Sequence, residues 1–297
     1  MARMTHVLGG AVHVMRKFDA EEALRLMAEL GITTTFMVPT MLRRIVNLPP
    51  ALRRAYDVSS LRCILTGATA VSFGLKQQVV EHFGNHCLFE SYGSTEVGLA
   101  TIMVPHEQLR RPGSCGRLLA GVSARILDPD GKELPCGQLG EIYIAGPELV
   151  ANYLNEGPHG EDVAKQGYFS AGDLGRLDQD GFLYIVDRKN DMIISGGVNI
   201  HPSEIEAVLG QHPAVLEAAV FGIPNPDFGE EVKAVCEVVA GQSVSADELL
   251  AFARDRLADY KRPRSIDFVE QLPRNPAEKI LKRELRQPYW GEAGKET

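Results

Sequence analysis

Residues 61–89, LRCILTGATAVSFGLKQQVVEHFGNHCLF, carry the reading that decides the fold. Residues 61–65 read as a strand, Gly67, Ala68, Thr69 and Ala70 as a turn, 73–83 as a helix, and 87–89 as a second strand. The same alternation runs upstream. Residues 19–30 read as a helix, with Asp19 as N-cap, Glu21 and Glu22 in the first turn, and Leu24, Met27 and Leu30 on one face. Gly31 ends it. Residues 33–38 are β-branched and apolar, a strand that Pro39 stops, and Thr40 is the expected cap of the short apolar helix that follows. This rhythm predicts a parallel sheet with helices on its faces.

The texture then changes. Residues 113–187 hold short strands (122–127, 141–144, 182–186) separated by Gly, Pro and Asp turns, which predicts a small antiparallel barrel or meander. A third texture starts near residue 188. Residues 202–209 and 246–257 read as helices, and 218–221, 232–239 and 265–269 as strands. This is a compact α+β unit of about 100 residues, enough for its own core. The fold class is therefore α/β followed by small α+β. The expected domains are 1–188 and 189–287, with a polar tail at 288–297.

The whole chain has 297 residues, 31 Lys+Arg against 39 Asp+Glu, and a net charge of −8. That acidic balance argues against a sequence-independent nucleic-acid binder, which needs a basic face for phosphates. No run is long and apolar enough to read as a membrane helix. The beginning, MARMTHVLGG, lacks the apolar core and cleavage site of a signal peptide. The cysteines (Cys63, Cys87, Cys115, Cys136 and Cys236) are scattered without a CxxC pair, as expected of reduced thiols in a cytoplasmic protein. The histidines show no metal-ligand spacing.

Six places could carry chemistry, and each has a plain reading beside it. The loop Glu90-Ser91-Tyr92-Gly93-Ser94-Thr95-Glu96-Val97-Gly98 follows the last strand of the βαβ part, where ligands of open α/β sheets bind. Its hydroxyls suit a phosphate and Glu96 suits Mg²⁺; it could equally be a polar capping loop. The turn Gly67, Ala68, Thr69 leaves room for a flat ring, or is only a tight strand-to-helix turn. Asp173, after Gly172, could accept from both hydroxyls of a ribose, or could be a turn residue. Asp187-Arg188-Lys189-Asn190-Asp191 reads as a linker or a solvated charge run. Ser195-Gly196-Gly197 is a flexible turn or a place where a thin ligand passes bare backbone. Lys279 alone reads as a surface lysine.

The order of these pieces is far more specific than any one of them. Tyr92-Gly93-Ser94-Thr95-Glu96, then Gly172-Asp173, Asp187-Arg188, Ser195-Gly196-Gly197 and a late Lys279 resemble the adenylate-forming superfamily of acyl-CoA synthetases, peptide-synthetase adenylation domains and firefly luciferase. The run from Gly175 to Gly197 is similar to fatty and aryl acid–CoA ligases. The resemblance extends from about Phe18 to Leu285.

The resemblance implies roles. Tyr92, Gly93, Ser94 and Thr95, with Glu90 and Ser91 leading into them, would hold adenine and the α-phosphate of ATP or AMP. Glu96 would hold Mg²⁺. Gly67, Ala68 and Thr69 would border the adenine and the acyl pocket. Asp173 would bind the ribose hydroxyls, helped by Arg188. Lys279 would bridge carboxylate and phosphate oxygens during adenylation. Gly196 and Gly197 would line the path of CoA, and Asn190 would be the hinge of a mobile C-terminal domain. The implied reaction joins a carboxylic acid, fatty or similarly apolar, to CoA through an acyl-adenylate.

The sequence also departs from the family. The Ser/Thr/Gly-rich phosphate loop lies upstream of the region that Phe18 matches, and none is present. The expectation is a C-terminal portion of a ligase that is inactive in adenylation by itself, prone to self-association or needing the missing half as partner. A non-catalytic AMP- or CoA-binding fragment, one half of a split enzyme, and adenylation for a carrier protein are the alternatives. Glu278 stands where members carry Gly, Ala171 where Thr is frequent, and Asn190 where Asp or Lys is common.

Overall fold

The structure, a computed structural model, describes residues 2–150, 164–165, 167–275 and 279–290. The chain divides into two compact units. One comprises Met1–Tyr92 with Ile102–Gly116, the other Gly93–Thr101 with Arg117–Thr297.

In the first unit the strands Thr34–Phe36, Cys63–Thr66 and Leu88–Ser94 run parallel, with Thr34 opposite Cys63 and Ile64 opposite Leu88. The helices Ala20–Glu29, Pro39–Val46 and Phe73–Phe83 connect and cover them. Leu24, Leu42, Ile45, Ile64, Leu75 and Val79 are buried in the shared core. Each contributes about 1.5–3 kcal/mol by leaving water. Asp19 caps the first of these helices by accepting from the Glu22 N–H at 2.9 Å. Ser72 caps the third, accepting from the Leu75 N–H at 3.3 Å, and Gly84 ends it at φ +90°.

Four sequence expectations need correction here. The strand expected at 33–38 is only Thr34–Phe36, and that expected at 61–65 is shifted to Cys63–Thr66. Thr40 is not a cap: the helix begins at Pro39 after Val38, without a side-chain cap bond, and Thr40 is buried in its first turn. Proline at the first helical position presets φ and has no N–H to satisfy. Most consequentially, the strand expected to end at Phe89 runs on to Ser94. What reads as a loop is a strand, a short turn at 95–97, and a return strand Gly98–Met103. Gly93 permits this because a Cβ there would lie 2.0 Å from the Gly98 carbonyl oxygen.

In the second unit, Ser123–Leu127, Gly140–Ala145, Asp173–Leu177 and Phe182–Arg188 pair antiparallel, the meander that the turn-rich texture predicted. Beyond it lies the small α+β part. A hairpin joins Ile193–Ser195 to Val198–Ile200, and a longer one joins Val215–Asn225 to Gly229–Val238. Ser265–Val269 adds in parallel. The helices Pro202–Leu209 and Ala246–Arg254 bury Ile205, Leu209 and Leu249 against this sheet. A last helix, Lys282–Trp290, was not foreseen. Trp290 ties it down, its indole N–H donating to the Gly222 carbonyl at 3.0 Å. The α/β plus α+β class is as read from sequence. The tail expected at 288–297 overlaps this helix, which runs on to Trp290, and residues 291–297 lie outside the described residues. No helix among the described residues is long and apolar enough to cross a membrane.

Candidate functional site

In the first unit, the structure brings two of the sequence-selected segments together. Thr66 and Glu90 are register partners at the carboxyl ends of adjacent parallel strands. Gly67 follows directly and packs against Ser91. A Cβ on Gly67 would stand 2.6 Å from the Ser91 carbonyl oxygen, so only glycine fits. Ser91 Oγ donates to the Thr66 carbonyl at 3.0 Å. Ala68 adopts φ +69°, a left-handed conformation that costs an L-residue about 1–2 kcal/mol. Ala68 and Thr69 are exposed, so the turn presents small groups outward. Tyr92, partly buried, ends the unit.

Glu90 is the exception. Its carboxylate does not face out with the loop. It is buried and ion-paired with Lys76. Burial raises its pKa, opposed by the Lys76 charge.

In the second unit, Ser94 Oγ accepts from the Glu96 N–H at 3.2 Å, and the Glu96 carbonyl accepts from Val150 N–H at 2.8 Å. Glu148 accepts from the Leu99 N–H at 3.2 Å. These bonds fix the turn at 95–97. Thr95 is exposed at its tip and Glu96 is half-buried beside it. Among the described residues, no three His, Cys, Asp or Glu side chains gather into a metal cage. One carboxylate beside a hydroxyl instead fits Mg²⁺ held largely by substrate phosphates and water.

Asp173 and Arg188 meet because strand pairing puts them opposite each other. Arg188 Nε lies 3.3 Å from Asp173 Oδ1, with Asp173 buried and Arg188 half-exposed. Gly172, at φ +77°, turns the chain into this strand, and its carbonyl accepts from the Lys189 N–H at 2.8 Å.

Lys279 belongs to the same electrostatic neighbourhood. Burial lowers its pKa, and the Arg188 guanidinium lowers it further, while Asp191 and Asp173 act in the opposite sense. The backbone around it is fixed by Asn275, whose N–H donates to the Lys279 carbonyl and whose Oδ1 accepts from the Lys279 N–H, each at 3.0 Å. Arg274, next in sequence, is buried between Glu217 at 2.7 Å and Glu237 at 3.5 Å. Glu278 lies outside the described residues.

Gly196 and Gly197, at φ +56° and +81°, form the two-residue turn of the hairpin after Ser195. Positive φ at both positions matches the twist of the flanking strands. The Gly196 N–H donates to the Phe228 carbonyl at 2.8 Å, and the exposed Phe228 ring flanks the turn. Asn190 is the centre of a 3₁₀ turn, Lys189–Asp191. Asp187 is buried and accepts from the Ser203 N–H at 3.0 Å, so it caps the helix Pro202–Leu209 from outside.

Sequence reasoning missed Lys76, Asn275, Phe228 and this role of Asp187. Asn275 and Phe228 had a signal, as they sit in the turn-forming contexts Arg-Asn-Pro and Pro-Asp-Phe-Gly. Lys76 had none, because a lysine inside a helix reads as solvated.

The family pattern described as AMP-binding enzyme matches residues 3–154, and the AMP-binding enzyme C-terminal domain matches 204–279. The chain belongs to the AMP-binding, adenylate-forming enzyme family. It is 36% identical over 294 residues to the fatty acid–[acyl-carrier-protein] ligase ScoC of Streptomyces coeruleorubidus, covering 97% of this chain and 56% of that protein. It is 37% identical to the 2-succinylbenzoate–CoA ligase of Bacillus licheniformis, covering 94% and 56%. Among solved structures, ATP-bound MatB from Rhodopseudomonas palustris aligns with a TM-score of 0.86 at 33% identity, covering 99% of this chain and 57% of that one. The chain thus spans somewhat more than half the length of the relatives it matches.

Proposed function

We propose that this chain serves an ATP-dependent acid–CoA ligase reaction on a fatty or similarly apolar carboxylic acid. The observation that carries this is the grouping of Asp173, Arg188 and Lys279 in one electrostatic neighbourhood. A buried carboxylate steadied by a guanidinium can accept from both ribose hydroxyls. A half-buried cation can meet the negative charge of an activated carboxyl and a phosphate. The family context and the ATP-bound MatB relative support the nucleotide.

In this reading a carboxylate oxygen attacks the α-phosphorus of ATP, and pyrophosphate leaves. The CoA thiolate then attacks the acyl carbon of the adenylate, and AMP leaves. Thr95 and Ser94 donate to the α-phosphate from the turn at 95–97, and Tyr92 and Gly93 border adenine. Gly67, Ala68 and Thr69 edge the adenine and acyl pockets. Glu96 would hold Mg²⁺, which supplies charge neutralisation at the phosphates. Lys279 stabilises the first step. Gly196 and Gly197, having no side chains, leave room for the pantetheine arm. Residues 1–188 would act as the large-domain portion and 189–287 as the mobile domain, turning about Asn190.

The test supplies a preformed acyl-adenylate and CoA to the full chain, and separately ATP, Mg²⁺, acid and CoA. Acyl-CoA from the adenylate, reduced by Asp173→Ala but not by Lys279→Ala, supports the reading. Tight AMP binding with no product under either condition would make the chain a nucleotide-binding protein instead. The acyl-carrier-protein ligase among the relatives favours a second reading, a carrier-protein thiol as acceptor. Replacing CoA by a phosphopantetheinylated carrier protein decides between the two.

A further inference from the structure

Glu141 lies near the start of the strand Gly140–Ala145, opposite Leu174, the residue after Asp173. Its side chain is 19% exposed. A carboxylate accepts on two oxygens, so it can serve two donors at once. Here each oxygen goes to a different segment. Oε1 accepts from the Ser170 hydroxyl at 2.7 Å, and Oε2 from the Lys189 ammonium at 3.0 Å.

Both donor residues also hold Gly172. Ser170 Oγ, while donating to Glu141, accepts from the Gly172 N–H at 3.0 Å. The Gly172 carbonyl accepts from the Lys189 N–H at 2.8 Å. The bonds close a ring from Glu141 to Ser170, Gly172, Lys189 and back to Glu141. Both peptide groups that flank the Gly172 Cα have a bond in that ring, which fixes the turn at φ +77°. Asp173 follows Gly172 directly, and Arg188 precedes Lys189. The ring therefore braces both sides of the ion pair in which Arg188 and Asp173 stand 3.3 Å apart. Lys189 is 58% exposed, so salt screens its arm, and the Ser170 arm carries most of the bracing.

We propose that Glu141 is a positioning residue that acts through Ser170 and Lys189 to fix the Gly172 turn, and so aims the Asp173 carboxylate. That the carboxylate is aimed at a ribose rests on the function proposed above; the bracing of Gly172 does not.

Two variants of the full chain test this. Glu141→Leu cuts both arms, and Glu141→Gln keeps an acceptor for Ser170. Each is titrated with AMP and with 2′,3′-dideoxy-AMP, which has no ribose hydroxyls. Hydrogen exchange at the Gly172 amide is followed without ligand, and the thermal midpoint reports folding. Glu141→Leu should bind AMP about tenfold more weakly, with dideoxy-AMP within about twofold of native. Glu141→Gln should stay within about threefold of native for AMP. Added to Asp173→Ala, Glu141→Leu should cost nothing further, because it acts through Asp173. Gly172 exchange should rise about tenfold in Glu141→Leu. Equal loss for the two nucleotides, no loss for either, or a full further loss on the Asp173→Ala background overturns the proposal. Should Glu141→Leu not fold, Ser170→Ala removes the same arm from the other side and must give the same pattern. If the native chain binds no AMP, the nucleotide reading fails and exchange alone decides the bracing. Faster Gly172 exchange in Glu141→Leu then supports it, and unchanged exchange overturns it.

Discussion

Asp173 and Arg188 face each other across an antiparallel strand pair, 3.3 Å apart, with the carboxylate buried and the guanidinium half in solvent. The irregular register between Leu174 and Gly175 lies immediately beside them. Bulges of this kind re-aim side chains at sheet sites. If the carboxylate receives a ribose, Asp173→Ala should weaken AMP binding about 10–100-fold, the effect of losing hydrogen bonds to a charged acceptor. Calorimetric titration measures it. Arg188→Leu should weaken binding less, because a half-exposed ion pair contributes about 1 kcal/mol or less.

The depressed pKa of Lys279 gives a pH signature. Burial is the main cause and Arg188 the second. A lysine whose folded pKa lies below its unfolded value binds fewer protons when folded. Stability therefore rises with pH between the folded pKa and the ordinary lysine range, as the buried charge is lost. Adenylation that needs the ammonium should change the other way, falling on the alkaline side earlier than for an ordinary lysine. Carbon-13 methyl labelling of Lys279 reads the titration directly. Arg188→Leu should move it upward.

Arg274 offers a stability prediction. It is buried between Glu217 and Glu237, and Glu237 also accepts from the Leu272 N–H at 3.0 Å. Arg274→Met should cost about 3–5 kcal/mol, because it strands the buried Glu237 carboxylate. Because Asn275 follows in the chain, the same change should also loosen the backbone around Lys279. Denaturant unfolding and exchange at the Lys279 amide check the two effects.

Glycine substitutions separate strain from contact. Gly196→Ala and Gly197→Ala both impose a side chain at positive φ, and each should cost about 1 kcal/mol. Gly196→Ala also pushes its methyl to 3.2 Å from the Phe228 ring, whereas Gly197 has open space. Gly196→Ala should therefore be the more damaging. Gly67→Ala should cost about 1–3 kcal/mol, since its Cβ meets backbone that cannot swing away. Thermal melts of the three variants order these costs.

Local signals made much of the fold legible. The helices Phe73–Phe83 and Pro202–Leu209 and the strand Ser265–Val269 appear at the positions expected. Each has a clear cap, proline or β-branched run. Tyr92-Gly93-Ser94 looked like a loop because polar and glycine residues dominate it, and pairing with a later strand is not a local property. Lys282–Trp290 was hidden by its polarity and by Pro288 near its end, where little helix remains to be broken. The family resemblance points to Asp173, Arg188 and Lys279, and pairs the first two. The physical cause of that pairing is strand register, which no local stretch of sequence displays. The inward turn of Glu90 depends on Lys76, a partner fourteen residues away on another element.

Direct titration of the chain with AMP, native against Asp173→Ala, tests the central claim most directly. The account predicts saturable one-to-one binding by the native chain and at least a tenfold loss in the variant, with the fold intact by circular dichroism. Equal affinity for the two, or no binding by the native chain, would contradict it.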